Sequence, residues 1–237
     1  MDTAIITTTV TTMPTSSALL RLLQLSSASL PVGAYAFSQG LEYAVEEGWV
    51  DSVVSAKEWL QLQATEGLAY VDLPLLVQAL DTLERDDIDG LMACNDWLLA
   101  CRETRELRLT DTATGEALMR LLKQLDVPLP DALDKRDGDI SFVVAFALAA
   151  QHWQIDTDAA LTGYAWSWLE NQVAAATKLV PLGQTQAQQL IGELQQCIPQ
   201  CIDIAKQVES DEIGSGLPAL AIASAQHETQ YTRLFRS

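Results

Sequence analysis

The chain is poor in positive charge. Its 237 residues hold 14 Lys and Arg against 32 Asp and Glu, a formal net charge of −18 with a pI near 4.2. Such a surface repels a phosphate backbone, which excludes nucleic-acid binding as its main task. Histidine is scarcer still, at His152 and His227 only. The first closes an apolar helical pattern and the second begins a polar stretch, so both read as structural or solvated rather than as partners of a nucleophile. Long apolar runs are also missing. The longest, Phe142 to Ala150, is far short of the roughly 20 residues that span a bilayer. Met1 to Met13 lacks the basic start and apolar run of a signal peptide. These absences imply a soluble, cytoplasmic protein with no membrane partner.

Local signatures of catalysis are absent as well. There is no Gly-x-x-x-x-Gly-Lys phosphate loop, no dinucleotide-binding glycine fingerprint after a strand and no nucleophile elbow. The paired carboxylates Glu46-Glu47 and Asp86-Asp87 are consecutive and therefore point apart. No catalytic residue, cofactor or metal site is assigned, and a non-enzymatic binding role is expected. The four cysteines, Cys94, Cys101, Cys197 and Cys201, show no secretory context. Cys197 and Cys201 fall on one helix face, a spacing that can supply two soft ligands; packed structural thiols are the alternative.

What the chain has in abundance is helical periodicity. The expected fold is all-α, a single-domain helical bundle of roughly eight to ten helices. Residues 1–16 read as a flexible arm, and 17–237 as the helical domain with a mobile C-terminal tail. Helices are expected from Ser17 to Ser26, from about Ser38 to near Gly48, and after a capping box at Ser55-x-x-Glu58. Asp72-Leu-Pro74 should start another helix. Leu91 to Leu109 reads as one continuous helix, with Arg102 and Glu106 ion-paired on its exposed face. Thr114 to Leu125 follows. Asp139 should cap the apolar helix that ends at Gln151, whose near-uniform apolar surface places it at the bundle centre. A helix from about Asp158 to Leu179, a second capping box at Thr185-x-x-Gln188, a kink at Pro199 and a short helix from Pro218 to Ala225 complete the pattern.

The densest local signal is Ala28-Ser-Leu-Pro-Val-Gly-Ala-Tyr-Ala-Phe-Ser-Gln-Gly-Leu-Glu42. Pro31 fixes its own φ, Gly33 opens conformations closed to other residues, and Tyr35 and Phe37 precede a helical start. A simple interhelical turn with core aromatics has the same look. The segment resembles the N-terminal signature of the UreF family of urease accessory proteins. Asn171 to Gln184, an Ala-rich helix running into Pro-Leu-Gly-Gln, is similar to that family's second landmark. His227 to Ser237 is similar to its C-terminus. The resemblance runs from about Ser17 to Ser237, weaker between Leu121 and Thr157, and Ala36 stands where many relatives carry Ser or Thr.

That resemblance implies an all-helical, dimeric scaffold. It would bridge a UreD/UreH-type accessory protein and the GTPase UreG, so that the complex delivers nickel to apo-urease. The partner-binding candidates are Pro31, Gly33, Tyr35, Phe37, Ser38, Gln39, Gly40 and Glu42 in the turn, and Arg233, Leu234, Phe235 and Arg236 in the tail. Tyr35 and Phe37 are taken as the turn's exposed anchors. The tail is expected either to order on a partner or to pack on its own domain. Another reading makes this chain a catalytic GTPase activator with Arg233 or Arg236 as its finger. A third makes it a small-molecule enzyme whose pocket is lined by Tyr164, Trp166 and Trp168.

Overall fold

Apolar side chains recurring every three or four positions leave each helix a face that must be covered, and helix-on-helix packing is the only cover an all-helical chain has. A computed structural model of the chain describes residues 15–134, 139–214 and 216–236. Among these residues there is no strand. Helices α1 (Ser16–Leu25), α2 (Leu41–Glu46), α3 (Val53–Leu62), α4 (Leu73–Glu84), α5 (Ile88–Ala100) and α6 (Arg105–Gln124) are followed by the single turn α7 (Asp131–Asp134). Then come α8 (Phe142–His152), α9 (Thr157–Leu179), α10 (Gln184–Leu194), α11 (Ile198–Ala205) and α12 (Pro218–His227). The all-α expectation holds.

As its composition required, α8 lies at the centre, with every residue from Val143 to Ala150 buried. It packs on α4 and α6. A side chain on Gly115 of α6 would collide with the Ile140 carbonyl, so this glycine permits the close approach of α6 to the start of α8. The main core joins residues from Ala18 to Ile213, and a second cluster gathers Leu41, Ala44, Val50, Ala56, Ala175, Ala176, Val180 and Phe235.

Helix ends depart from the sequence expectation wherever a tertiary contact competes with a local cap. The helix expected from Leu91 to Leu109 breaks at residues 101–104. Thr104 turns extended there, and its hydroxyl accepts from the Leu107 N–H to start α6. The Ser55-x-x-Glu58 box is displaced by three residues: Ser52 caps α3, and its hydroxyl and that of Ser55 reciprocally accept each other's backbone N–H. Ser141, not Asp139, caps α8, because Asp139 pairs with Arg108 at 3.0 Å. Gln186, not Thr185, sets the start of α10, its amide oxygen accepting from the Gly183 N–H. A 3-10 turn, Gln195–Cys197, separates α10 from α11, with Pro199 in the first turn of the latter. Helix α4 does begin after Asp72 with Pro74 in its first turn, but Asp72 is itself helical and gives no side-chain cap, because a π-helical stretch, Gln63–Asp72, runs straight into α4.

Candidate functional site

The turn is built on two left-handed glycines. Gly33, at φ 78°, opens the 3-10 turn Ala34–Ala36, and Gly40, at φ 81°, leads into α2. Gly40 is doubly constrained: a Cβ there would lie 3.2 Å from the Ser224 N and 3.3 Å from the Ala223 Cβ of α12. Between them the chain presents Tyr35 outward at 65% exposure and turns Phe37 inward to 4%. The expectation of two exposed aromatic anchors is therefore corrected for Phe37, because the backbone becomes extended where the 3-10 turn ends and directs that ring into the domain. Pro31 is exposed and Ser38 is buried, its hydroxyl accepting from the Glu42 N–H.

The tail closes on this turn. Both carboxylate oxygens of buried Glu42 accept backbone N–H groups, Leu234 at 2.6 Å and Phe235 at 2.9 Å. The Arg236 N–H donates to the Ala36 carbonyl at 2.7 Å. Phe235 is 5% exposed among Leu41, Ala44, Ala175 and Ala176, with the Lys178 ammonium 5.2 Å above its ring. The tail is thus docked on its own domain, which corrects the expectation of a mobile tail whose Phe235 waits for a partner. Leu234, at 73%, and Tyr231, fully exposed, face outward, as Tyr35 does.

Beneath the tail lies a buried ionic cluster. His227, with no exposed surface, sits between Glu106 (Nδ1 to Oε2, 2.7 Å) and Glu42 (Nε2 to Oε2, 3.0 Å). Arg233 donates to the other Glu106 oxygen at 2.8 Å and to the carbonyls of His227 and Arg236. Each ring nitrogen of His227 thus faces one carboxylate, and Glu42 and Glu106 are joined through the imidazole. The exposed Arg102 and Glu106 ion pair expected from sequence does not form, because Glu106 is drawn into this cluster and Arg102 into another. The guanidinium of Arg102 forks onto Asp72 at 2.7 and 3.2 Å and reaches Asp111 at 2.9 Å. Burial works against its charge, yet Asp111 and Asp72 outweigh burial and hold its pKa well above the ordinary value. The Tyr164 hydroxyl donates to Asp72 at 2.8 Å; burial, then Asp72, raises its pKa well above the usual phenol value.

A cavity of about 150 Å³ separates the turn from this second ionic group; Phe37, Gln39, Arg102, Tyr164, Trp168 and Gln172 are among its walls. Gln39, held at φ 51°, accepts from Trp168 Nε1 at 2.9 Å and from Gln172 Nε2 at 3.1 Å. The Gln172 carbonyl oxygen is buried without a protein partner, which suits an ordered water. Tyr164 and Trp168 line the cavity as the third reading required, whereas Trp166 is not among its walls. The aromatics are accompanied by paired ions, with Arg102 already holding Asp72 and Asp111.

The three segments singled out in the sequence therefore meet: the turn, the Asn171 to Gln184 stretch through Gln172, Ala175, Ala176 and Lys178, and the tail. Sequence reasoning missed Glu106, which resembled a surface charge, and the bridging role of His227, whose partner Glu42 is 185 positions away.

Comparison with known proteins bears on the same chain. The UreF family profile matches residues 50–195. A protein of Marinomonas sp. (strain MWYL1) described as urease accessory protein UreF is 55% identical over 237 residues, all of both chains. Proteins of the same description from Alkalilimnicola ehrlichii and Hahella chejuensis are 46% and 43% identical. These alignments cover 92% and 93% of this chain and 95% and 98% of theirs.

Proposed function

The chain belongs to the UreF family of urease accessory proteins, and from that premise we propose that it is the helical scaffold of a urease metallocentre assembly complex. In this reading it is a cytoplasmic, non-catalytic homodimer. It bridges a UreD/UreH-type protein and the GTPase UreG, and nickel reaches apo-urease through the complex they form. One observation carries the reading. The turn and the tail are hydrogen-bonded to each other and leave Tyr35, Tyr231 and Leu234 exposed, large side chains that their own domain does not cover. Aromatic and large apolar side chains on a pre-ordered base are what an interface needs, because little entropy is lost when they bind.

A catalytic arginine finger fits less well. Arg233 is engaged by Glu106 and two carbonyls, and withdrawing it would leave a buried carboxylate short of a partner. The test is a Tyr35→Ala, Leu234→Ala double variant, expressed in a strain lacking this chain. Expected are loss of urease activation and of co-purification with at least one accessory partner, while stability stays within about 0.5 kcal/mol, as for surface changes. Full activation by the double variant would overturn the assignment of these side chains.

A further inference from the structure

Cys197 and Cys201 stand one turn apart at the start of α11, for which Cys197 is the N-cap residue. Cys201 is buried and Cys197 half-buried, and both line a void of about 10 Å³ whose other walls include Leu60, Leu68, Trp168 and Leu169. Cβ atoms one helical turn apart are separated by about 5–6 Å. A disulfide needs about 3.5–4.5 Å, so these thiols cannot join without unwinding the helix. With sulfur–metal bonds of about 2.3 Å, a two-coordinate ion between them spans the separation that a disulfide cannot.

We propose that Cys197 and Cys201 form a chelating site for one soft, two-coordinate d10 cation of the copper(I) or silver(I) class. Two features favour that class. Thiolates select soft ions. The void admits one water-sized body between apolar walls, and the oxygens beside the thiols are backbone carbonyls, that of Leu194 at 2.9 Å from Cys197 and that of Ala64 at 3.4 Å from Cys201, so ions that keep water or demand four ligands, such as Ni²⁺ and Zn²⁺, are disfavoured. Binding replaces two S–H bonds by two metal–sulfur bonds and releases two protons to solvent.

The full chain would be titrated anaerobically with copper(I) against a chromophoric copper(I) chelator. One ion per chain is expected, and Cys197→Ser or Cys201→Ala should each weaken binding by about a hundredfold or more, the usual gain from chelation. Cys101→Ser should leave it within about threefold. In parallel, the unsubstituted protein would be alkylated with and without copper(I) and mapped by mass spectrometry, a readout independent of how the variants fold. Protection of Cys197 and Cys201 together supports the site. Protection of neither, protection of one alone, or preferential protection by Ni²⁺ or Zn²⁺ overturns it.

Discussion

At the scale of single residues, Glu42 is the side chain on which most converges. It accepts the Leu234 and Phe235 N–H groups and faces His227, all within a buried setting. Removing one member of a buried ionic group costs about 3–5 kcal/mol, so Glu42→Ala should lose about that much stability in a urea titration. It should also release the Leu234 and Phe235 amides to rapid hydrogen exchange. A loss below about 1 kcal/mol would show that the tail does not depend on this carboxylate. Cys197 carries a pH signature of its own. Its pKa is lowered from 9.0 to about 7, so the thiolate is favoured in the folded state over the unfolded one. The associated stability is present above pH 9 and lost as pH falls through 7. Alkylation of Cys197 should therefore rise with a midpoint near pH 7. Cys201→Ala should move that midpoint toward the ordinary thiol value, since the lowering comes first from Cys201; a midpoint that stays put would refute the pairing.

At the scale of elements, the tail behaves as a latch across α2, α9 and α12. Among its described residues the one deeply buried side chain is Phe235, and their backbone lies outside any helix or strand, so Glu42 and the Ala36 carbonyl satisfy it instead. Phe235→Ala removes that burial and leaves a cavity among Leu41, Ala175 and Ala176. The expected cost is about 3 kcal/mol, at the low end for a buried Phe because the tail can partly relax. Thermal unfolding of this variant checks it. An unchanged melting temperature would mean that the tail's packing contributes nothing to the fold. The helix ends belong to this scale too. Thr104 and Ser141 win their caps over Asp139 and over continuous helix because Arg108, Asp72 and Asp111 engage the competing side chains.

At the scale of the whole molecule, apolar residues are left on the outside in more than one place. Besides Tyr35, Tyr231 and Leu234, α1 exposes Leu20 at 67% and Leu23 at 60%, and Val54 of α3 is 67% exposed. A homodimer that covers such residues gives light scattering at about twice the 25.9 kDa chain mass. A monomer at micromolar concentration would remove the preformed dimer from the proposed function. The described residues contain no helix long and apolar enough to cross a membrane.

The sequence by itself determined the helical class, the central place of α8 and the turn around Gly33 and Gly40. Each depends on local spacing and on backbone freedom, which are properties of neighbouring residues. The family resemblance was likewise legible in short segments, and the full-length relatives bear it out. Only the tertiary structure decided that Phe37 points inward, that the tail is docked, and that Arg102 and Glu106 part company for Asp72 and His227. An ion pair one turn apart on an exposed helix is worth a few tenths of a kcal/mol. A carboxylate buried by distant chain segments must instead find whichever cation the fold brings to it, because leaving it unpaired costs several kcal/mol. Those partners lie 30 positions away for Arg102 and Asp72 and 121 for His227 and Glu106, beyond the reach of any local pattern.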